Sequence, residues 1–139
     1  MKKVLIDTND VIDYLLEKDP YFAEGKAVFA EIICGNVLGY ITASMATDIF
    51  YFLQKEKGKA FALNSLTDLL LILDILTVHR NDVYSALQSG WNDFEDALQA
   101  TVAVQSGMNA IVTRNSKDYK NALNIDIVLP KDFIQYLED

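Results

Sequence analysis

Val4-Leu5-Ile6-Asp7-Thr8-Asn9-Asp10-Val11-Ile12-Asp13 is an apolar run that stops abruptly on an acid and goes straight on to two more. The segment from Lys2 to Ile6 is too short for a helix and rich in β-branched and leucine side chains, so it reads as a buried strand. Asp7 then stands at the strand's carboxyl end. In an open parallel sheet, ligands bind at that edge, where loops splay apart and helix N-termini point into the gap. The fold therefore turns on which other acids the chain brings back beside Asp7.

Working outward, Asp10 to Leu16 reads as a short helix, with Asp10 and Asp13, three apart, on its solvated face. Asp19-Pro20 predicts a cap followed by proline at the first helical position, in a helix that runs to about Cys34 before Gly35. Leu38 to Thr42 is a second strand. Ser44 is placed to cap the next helix, which puts Asp48 near its first turn. A charged break at Lys55 to Lys59 reads as a solvated loop. Beyond it, Leu63, Leu66, Leu70 and Leu73 have the spacing of an amphipathic helix. Ile75 to Val78 is a third strand, ending at His79-Arg80, and Asn81 caps a helix to about Ser89. Asp93-Phe94-Glu95-Asp96 opens a helix that continues to Ser106. Ala110 to Val112 is a fourth strand, followed by Thr113-Arg114-Asn115 and a turn holding Asp118 and Tyr119. Ile125 to Leu129 is a fifth strand, and Pro130 starts a last helix with Phe133, Ile134 and Leu137 inward. Strands alternating with helices imply an α/β fold: a three-layer α/β/α sandwich around a parallel sheet of about five strands. No linker or repeat interrupts residues 1–139, so a single domain is expected.

Composition narrows the function. With 51% hydrophobic residues and only two prolines in 139 residues the chain is globular, and its one cysteine excludes an internal disulfide or a cysteine metal site. The apolar start ends at Asp7, too soon for a signal peptide, and Leu69 to Leu76 is broken by Asp74, so no membrane association and a cytoplasmic location are expected. A net charge of -8 argues against binding nucleic acid by charge alone and is compatible with bound cations that reverse the sign locally. Arg80 and Arg114 are both expected near strand ends. His79 is the only histidine and has no serine or cysteine partner motif, so a nucleophilic triad is not expected.

If the first strand lies beside the fourth, at the reversal of strand order, then Asp7, Asp48, Asp93, Asp96 and Asp118 converge on one edge. Carboxylates packed together repel and take up protons unless a cation neutralises them. Oxygen ligands suit Mg²⁺ or Mn²⁺, and such an ion can activate water and stabilise the charge on a phosphodiester in its transition state. Each acid also has a structural alternative. Asp7 and Asp93 can cap helices, Asp48 can be a favourable charge at a helix start, and Asp118 can form a turn.

Asp7-Thr8-Asn9, then Thr42-Ala43-Ser44 with Asp48 four residues on, then Asp93 to Leu98 (DFEDAL) and Thr113 to Tyr119 (TRNSKDY) form an ordered series over nearly the whole chain. In order and spacing it resembles a PIN domain and is similar to the VapC-like toxins of toxin-antitoxin pairs. The resemblance implies an endoribonuclease dependent on Mg²⁺ or Mn²⁺, an RNA substrate, a homodimer, and a small antitoxin that blocks the site and represses its own operon. By that resemblance Asp7, Asp96 and Asp118 match acidic metal positions, and Asp48 stands where the family usually carries glutamate, with a shorter reach. Asp93, three residues before Asp96, is a candidate additional ligand. Asn9, Thr113 and Asn115 match polar positions that hold carboxylates or waters. Arg114 contacts a phosphate or pairs with a nearby acid. The Asp48 departure and the net charge also motivate a second reading, a PIN-like module that binds RNA or protein without cutting. An aspartyl phosphatase ranks last, because that chemistry wants an acid two residues after the nucleophile and Asn9 stands there.

Overall fold

The structure, a computed structural model, describes residues 1–139. Five strands, β1 (Lys3–Ile6), β2 (Leu38–Thr42), β3 (Leu73–Leu76), β4 (Ala110–Val112) and β5 (Asp126–Val128), form one sheet in the order β3-β2-β1-β4-β5. Every neighbouring pair is parallel. The α/β/α sandwich with a five-stranded parallel sheet is thus present. Seven helices complete it: α1 (Thr8–Leu15), α2 (Phe22–Ile33), α3 (Ala43–Lys57), α4 (Lys59–Leu69), α5 (Arg80–Gln88), α6 (Phe94–Gln105) and α7 (Phe133–Glu138). None is long and apolar enough to cross a membrane.

Parallel strands buried on both faces need continuous apolar runs, and Val4, Leu5, Ile6, Ala110, Ile111 and Val112 are all buried. β1 and β4 pair in the register Val4 with Ala110, Leu5 with Ile111 and Ile6 with Val112. The chain winds from β1 outward to β3, then returns to β4 on the other side of β1. The reversal of strand order therefore falls between β1 and β4, and their carboxyl ends carry Asp7 and Thr113.

Close packing of α2 on β2 depends on Gly39. A Cβ there would lie 2.6 Å from Leu73 Cδ2 and 2.7 Å from Ile32 Cδ1. Gly39→Val is expected to cost about 1–3 kcal/mol through overpacking, read as a lower urea midpoint at unchanged slope.

Several local expectations are corrected. Thr42, not Ser44, caps α3, its Oγ1 accepting from Met45 N at 3.2 Å. Asp48 therefore lies in the second turn of α3. Asp19-Pro20 lies in the turn before α2, which starts at Phe22. Leu73 leaves the predicted helix to pair with Gly39 in β3, so α4 buries Ala62 and Leu69 while Leu63 and Leu70 stay exposed. His79, not Asn81, precedes α5 as its cap residue. In α7 Phe133 is buried but Ile134 is exposed.

Candidate metal centre

Asp7 ends β1 and is the N-cap of α1, with an extended backbone and a side chain accepting from Thr8 N at 2.9 Å. Its own N–H donates to Val112 O at 3.0 Å, which continues the β1–β4 pairing into the site. Oδ2 accepts from Thr113 Oγ1 at 2.8 Å, and Oδ1 lies 3.1 Å from the Tyr119 hydroxyl. That hydroxyl is also 2.6 Å from Gln99 Oε1. One phenolic proton cannot serve both acceptors; with the Gln99 amide turned to present its NH₂, the proton goes to Asp7. Asp7 is 6% exposed. Burial pushes its carboxyl above the ordinary range and the Asp118 charge adds to that, against the three hydrogen bonds that pull it down.

Four chain segments bring acids to this point. A cavity of about 270 Å³ is lined by Asp7, Asn9, Asp48, Glu95, Asp96 and Asp118, together with Thr8, Ile12, Phe52 and Gln99. Asp96 and Glu95 come from the first turn of α6, Asp48 from α3, and Asp118 from the 3-10 helix Ser116–Tyr119 after β4. Asp96 is pushed up to about 7, by burial first and then by the charges of Asp93, Asp7, Asp118 and Glu95. The Asp48 charge is the main cause of a raised Glu95. The acids thus interact electrostatically across segments distant in sequence.

No group of three or more His, Cys, Asp or Glu side chains stands together as a set able to hold an ion by itself. The donor chemistry nevertheless fits Mg²⁺ or Mn²⁺, hard cations that bind through one or two carboxylates and keep several waters. Thr8, which lines the cavity, also holds the one buried side-chain polar atom without a hydrogen-bond partner, its Oγ1.

Other predicted residues lie elsewhere. Asp93 does not line this cavity; its Oδ1 accepts from Asp96 N at 3.0 Å as the N-cap of α6. Arg114 points away from the acids just described. Its Nε donates to Asp13 Oδ2 at 2.7 Å and its guanidinium sits 4.1 Å from the centre of the Tyr21 ring. Asp10 and Asp13, expected on the solvated face of the first helix, are instead 4% and 3% exposed. Both Asp10 oxygens accept from Arg114 N, at 3.1 and 3.3 Å, and burial pushes that carboxyl up to about 8. Together Asp10 and Asp13 tie the loop after β4 to α1. Asn115 contributes through its backbone, whose N–H donates to Thr113 Oγ1 at 3.0 Å, while Asn9 lines the cavity. Sequence reading missed Glu95, Gln99 and Tyr119 as members of the site. Gln99 had a signal, since it stands three residues after Asp96 on the same helical face. Tyr119 had none, because only the 3-10 turn sends neighbouring Asp118 outward and Tyr119 inward.

The PIN domain profile matches residues 3–117. No curated protein matches the chain in sequence. Among solved structures, DNA-bound VapBC from Salmonella typhimurium superposes with a TM-score of 0.70 at 17% identity, covering 94% of this chain and 99% of that one. VapBC2 from Rickettsia felis, bound to a DNA fragment from its promoter, gives 0.68 at 19% identity over 91% and 98% of the two chains. Mycobacterium tuberculosis VapC20, described as a toxin cleaving the sarcin-ricin loop, gives 0.68 at 11% identity over 88% and 98%. At these identities the likeness is one of fold.

Proposed function

The chain belongs to the PIN domain family, and from that premise we propose that it is a metal-dependent endoribonuclease, the toxin of a toxin-antitoxin pair. The observation that carries this reading is the cavity at the β1–β4 edge, where Asp7, Asp48, Asp96 and Asp118 arrive from four separate segments. Folding spends free energy to hold like charges together there, and a site for a divalent cation gives that arrangement a use.

Asp7, Asp96 and Asp118 would hold Mg²⁺ or Mn²⁺, with Asp48 reaching it directly or through water. When bound, the ion supplies Lewis acidity and lowers the pKa of a water for attack on an RNA phosphodiester. The chain's own groups orient the acids: Thr113, Tyr119 and the Thr8 N–H fix Asp7, and Asp93 fixes the first turn of α6 that presents Asp96. Glu95 lines the same cavity, its carboxyl raised by the facing Asp48 charge. Arg114 acts on the loop geometry rather than on substrate.

The partner reading draws on the fold's likeness to a toxin-antitoxin complex from Klebsiella pneumoniae and on the net charge of -8, which suits a basic antitoxin segment. We place the whole of residues 1–139 in one nuclease domain, working in the cytoplasm as a homodimer. The test is incubation with RNA and Mn²⁺: cleavage by the wild type, stopped by EDTA, supports the reading.

Metal binding should depend on pH. Metal must displace protons from Asp96, which is held at about 7, and from Asp7, which is also raised. Mn²⁺ affinity by calorimetry is therefore expected to fall as pH drops through about 7, by up to roughly tenfold per unit for each proton displaced. A flat profile down to pH of about 5.5 would count against these two acids as ligands.

A second reading, the PIN-like module that binds without cutting, draws on the absence of a self-sufficient ligand set and on Asp48 in a position reading as glutamate in the family. It predicts no calorimetric Mn²⁺ binding without RNA and no cleavage of any RNA.

A further inference from the structure

The cavity of acids is the first of three that share walls along α6. Asp96 and Asp118 also line a second cavity of about 190 Å³, which adds Asp93, Lys117, Lys120 and Trp91. Trp91 and Asn121 in turn line a third cavity of about 280 Å³, whose other walls include Ala97, Val104 and Leu123. The surfaces thus run from carboxylate alone, to a stretch where two lysines and an aromatic ring stand beside the acids, to a mixed and more apolar one. Lys117 and Lys120 are the only basic side chains on any of the three. They are exposed, and neither forms an ion pair. Trp91 is half-buried, its ring set edge-on to Tyr119 at 6.3 Å between centroids. Arg114 is engaged by Asp13 and Tyr21, which leaves the two lysines as the cations beside the acids.

We propose that this groove is a binding track for single-stranded RNA on one side of the scissile phosphate. Lys117 and Lys120 take the adjoining phosphate, and Trp91 stacks an unpaired base whose far edge lies against the apolar third cavity. The inference rests on the nuclease reading. It specifies single strands because a base can reach Trp91 only when it is unstacked from its neighbours, whereas a duplex keeps its bases inside. The small number of cations fits an acidic protein that holds one or two phosphates close to a metal-neutralised site and does not attract the polyanion over a broad surface.

Trp91 is the only tryptophan, so its fluorescence reports on the track directly. The experiment titrates the full-length protein with a short single-stranded RNA in Ca²⁺, and measures Mn²⁺-dependent cleavage kinetics for the wild type, Lys117→Ala/Lys120→Ala and Trp91→Ala. Saturable quenching is expected, together with a KM raised roughly tenfold in the lysine variant and a weaker dependence of KM on salt. Trp91→Ala should raise KM roughly tenfold, the scale of one stacking platform, and Trp91→Phe should bring it most of the way back. kcat and calorimetric Mn²⁺ affinity should stay unchanged in the lysine variant, which separates a substrate contact from general damage. If the wild type cleaves RNA but the lysine variant keeps its KM, or Trp91 is not quenched, the track is refuted while the nuclease reading stands. Equal quenching by duplex RNA, or quenching by a basic peptide and not by RNA, also overturns it. A wild type that neither binds Mn²⁺ nor cuts RNA removes the nuclease reading itself.

Discussion

Asp7→Asn is expected to reduce Mn²⁺-dependent RNA cleavage on the order of 10³-fold, the scale on which one preorganised charge-stabilising group acts, without loss of thermal stability. The two halves of that expectation have different causes. Asparagine keeps the size of the side chain, and its oxygen can still accept from the Thr8 N–H and the Tyr119 hydroxyl. Its amide can donate to Thr113 Oγ1, which then accepts from both that amide and the Asn115 N–H while its own proton gives up the Asp7 acceptor, so the packing survives with one hydrogen bond reversed. What disappears is the negative charge. The folded-state pKa of Asp7 is raised above its ordinary value. Its charged form is therefore penalised by folding, and stability is lost as pH rises above the unfolded value. Asparagine never incurs that loss, so at neutral pH the variant should melt at the same temperature as the wild type or above it. Asp96→Asn should behave alike, since Asp96 is raised to about 7. Cleavage that survives both substitutions would remove this cavity as the active site. A collapse in melting temperature would show that Asp7 serves the fold.

Arg114→Ala should do the reverse: a loss of about 3 kcal/mol in stability, at the lower end of the cost of breaking a buried ion pair because the arginine is partly exposed. The side chains of Arg114 and Asp13 are 26% and 5% exposed, and they meet at 2.7 Å. Removing the guanidinium strands the Asp13 charge in the interior. Removing the carboxylate instead leaves an arginine that can turn toward water, so Asp13→Ala should cost less. A double-mutant cycle by urea denaturation measures the coupling. If Arg114 were a phosphate contact, as one sequence reading has it, Arg114→Ala would raise KM and leave the unfolding midpoint where it was. The Asp10 carboxylate accepts from the Arg114 backbone N–H, a contact the alanine variant keeps. The loop should therefore loosen without detaching.

Asp10 and Asp13 also mark where local reading failed. Acids three apart on a short surface helix ordinarily face water. Nothing near them in sequence signals the arginine that arrives from beyond β4, 101 residues from Asp13. The missing signal is tertiary in the same way for Leu73, which leaves its helical spacing to pair in β3 with Gly39 of β2, whereas the Asp93 carboxylate caps its own helix, a local contact and one of the two roles its position allowed. Where the physics was local, the reading held. The apolar run ending at Asp7, the Ala110–Val112 strand and the helix opened by Asp93 all lie where the residues put them.

The alternation of short apolar strands with amphipathic helices determined the layered parallel fold, because backbone hydrogen bonding and apolar burial allow such a chain few other arrangements. The placement of Asp7 and Asp118 just beyond strand ends followed from the same pattern. Only the tertiary structure decided which acids share a cavity and which are consumed in holding the loop. Those outcomes depend on helix rotation and on side-chain direction at chain reversals, which are set by packing between segments remote from one another in sequence.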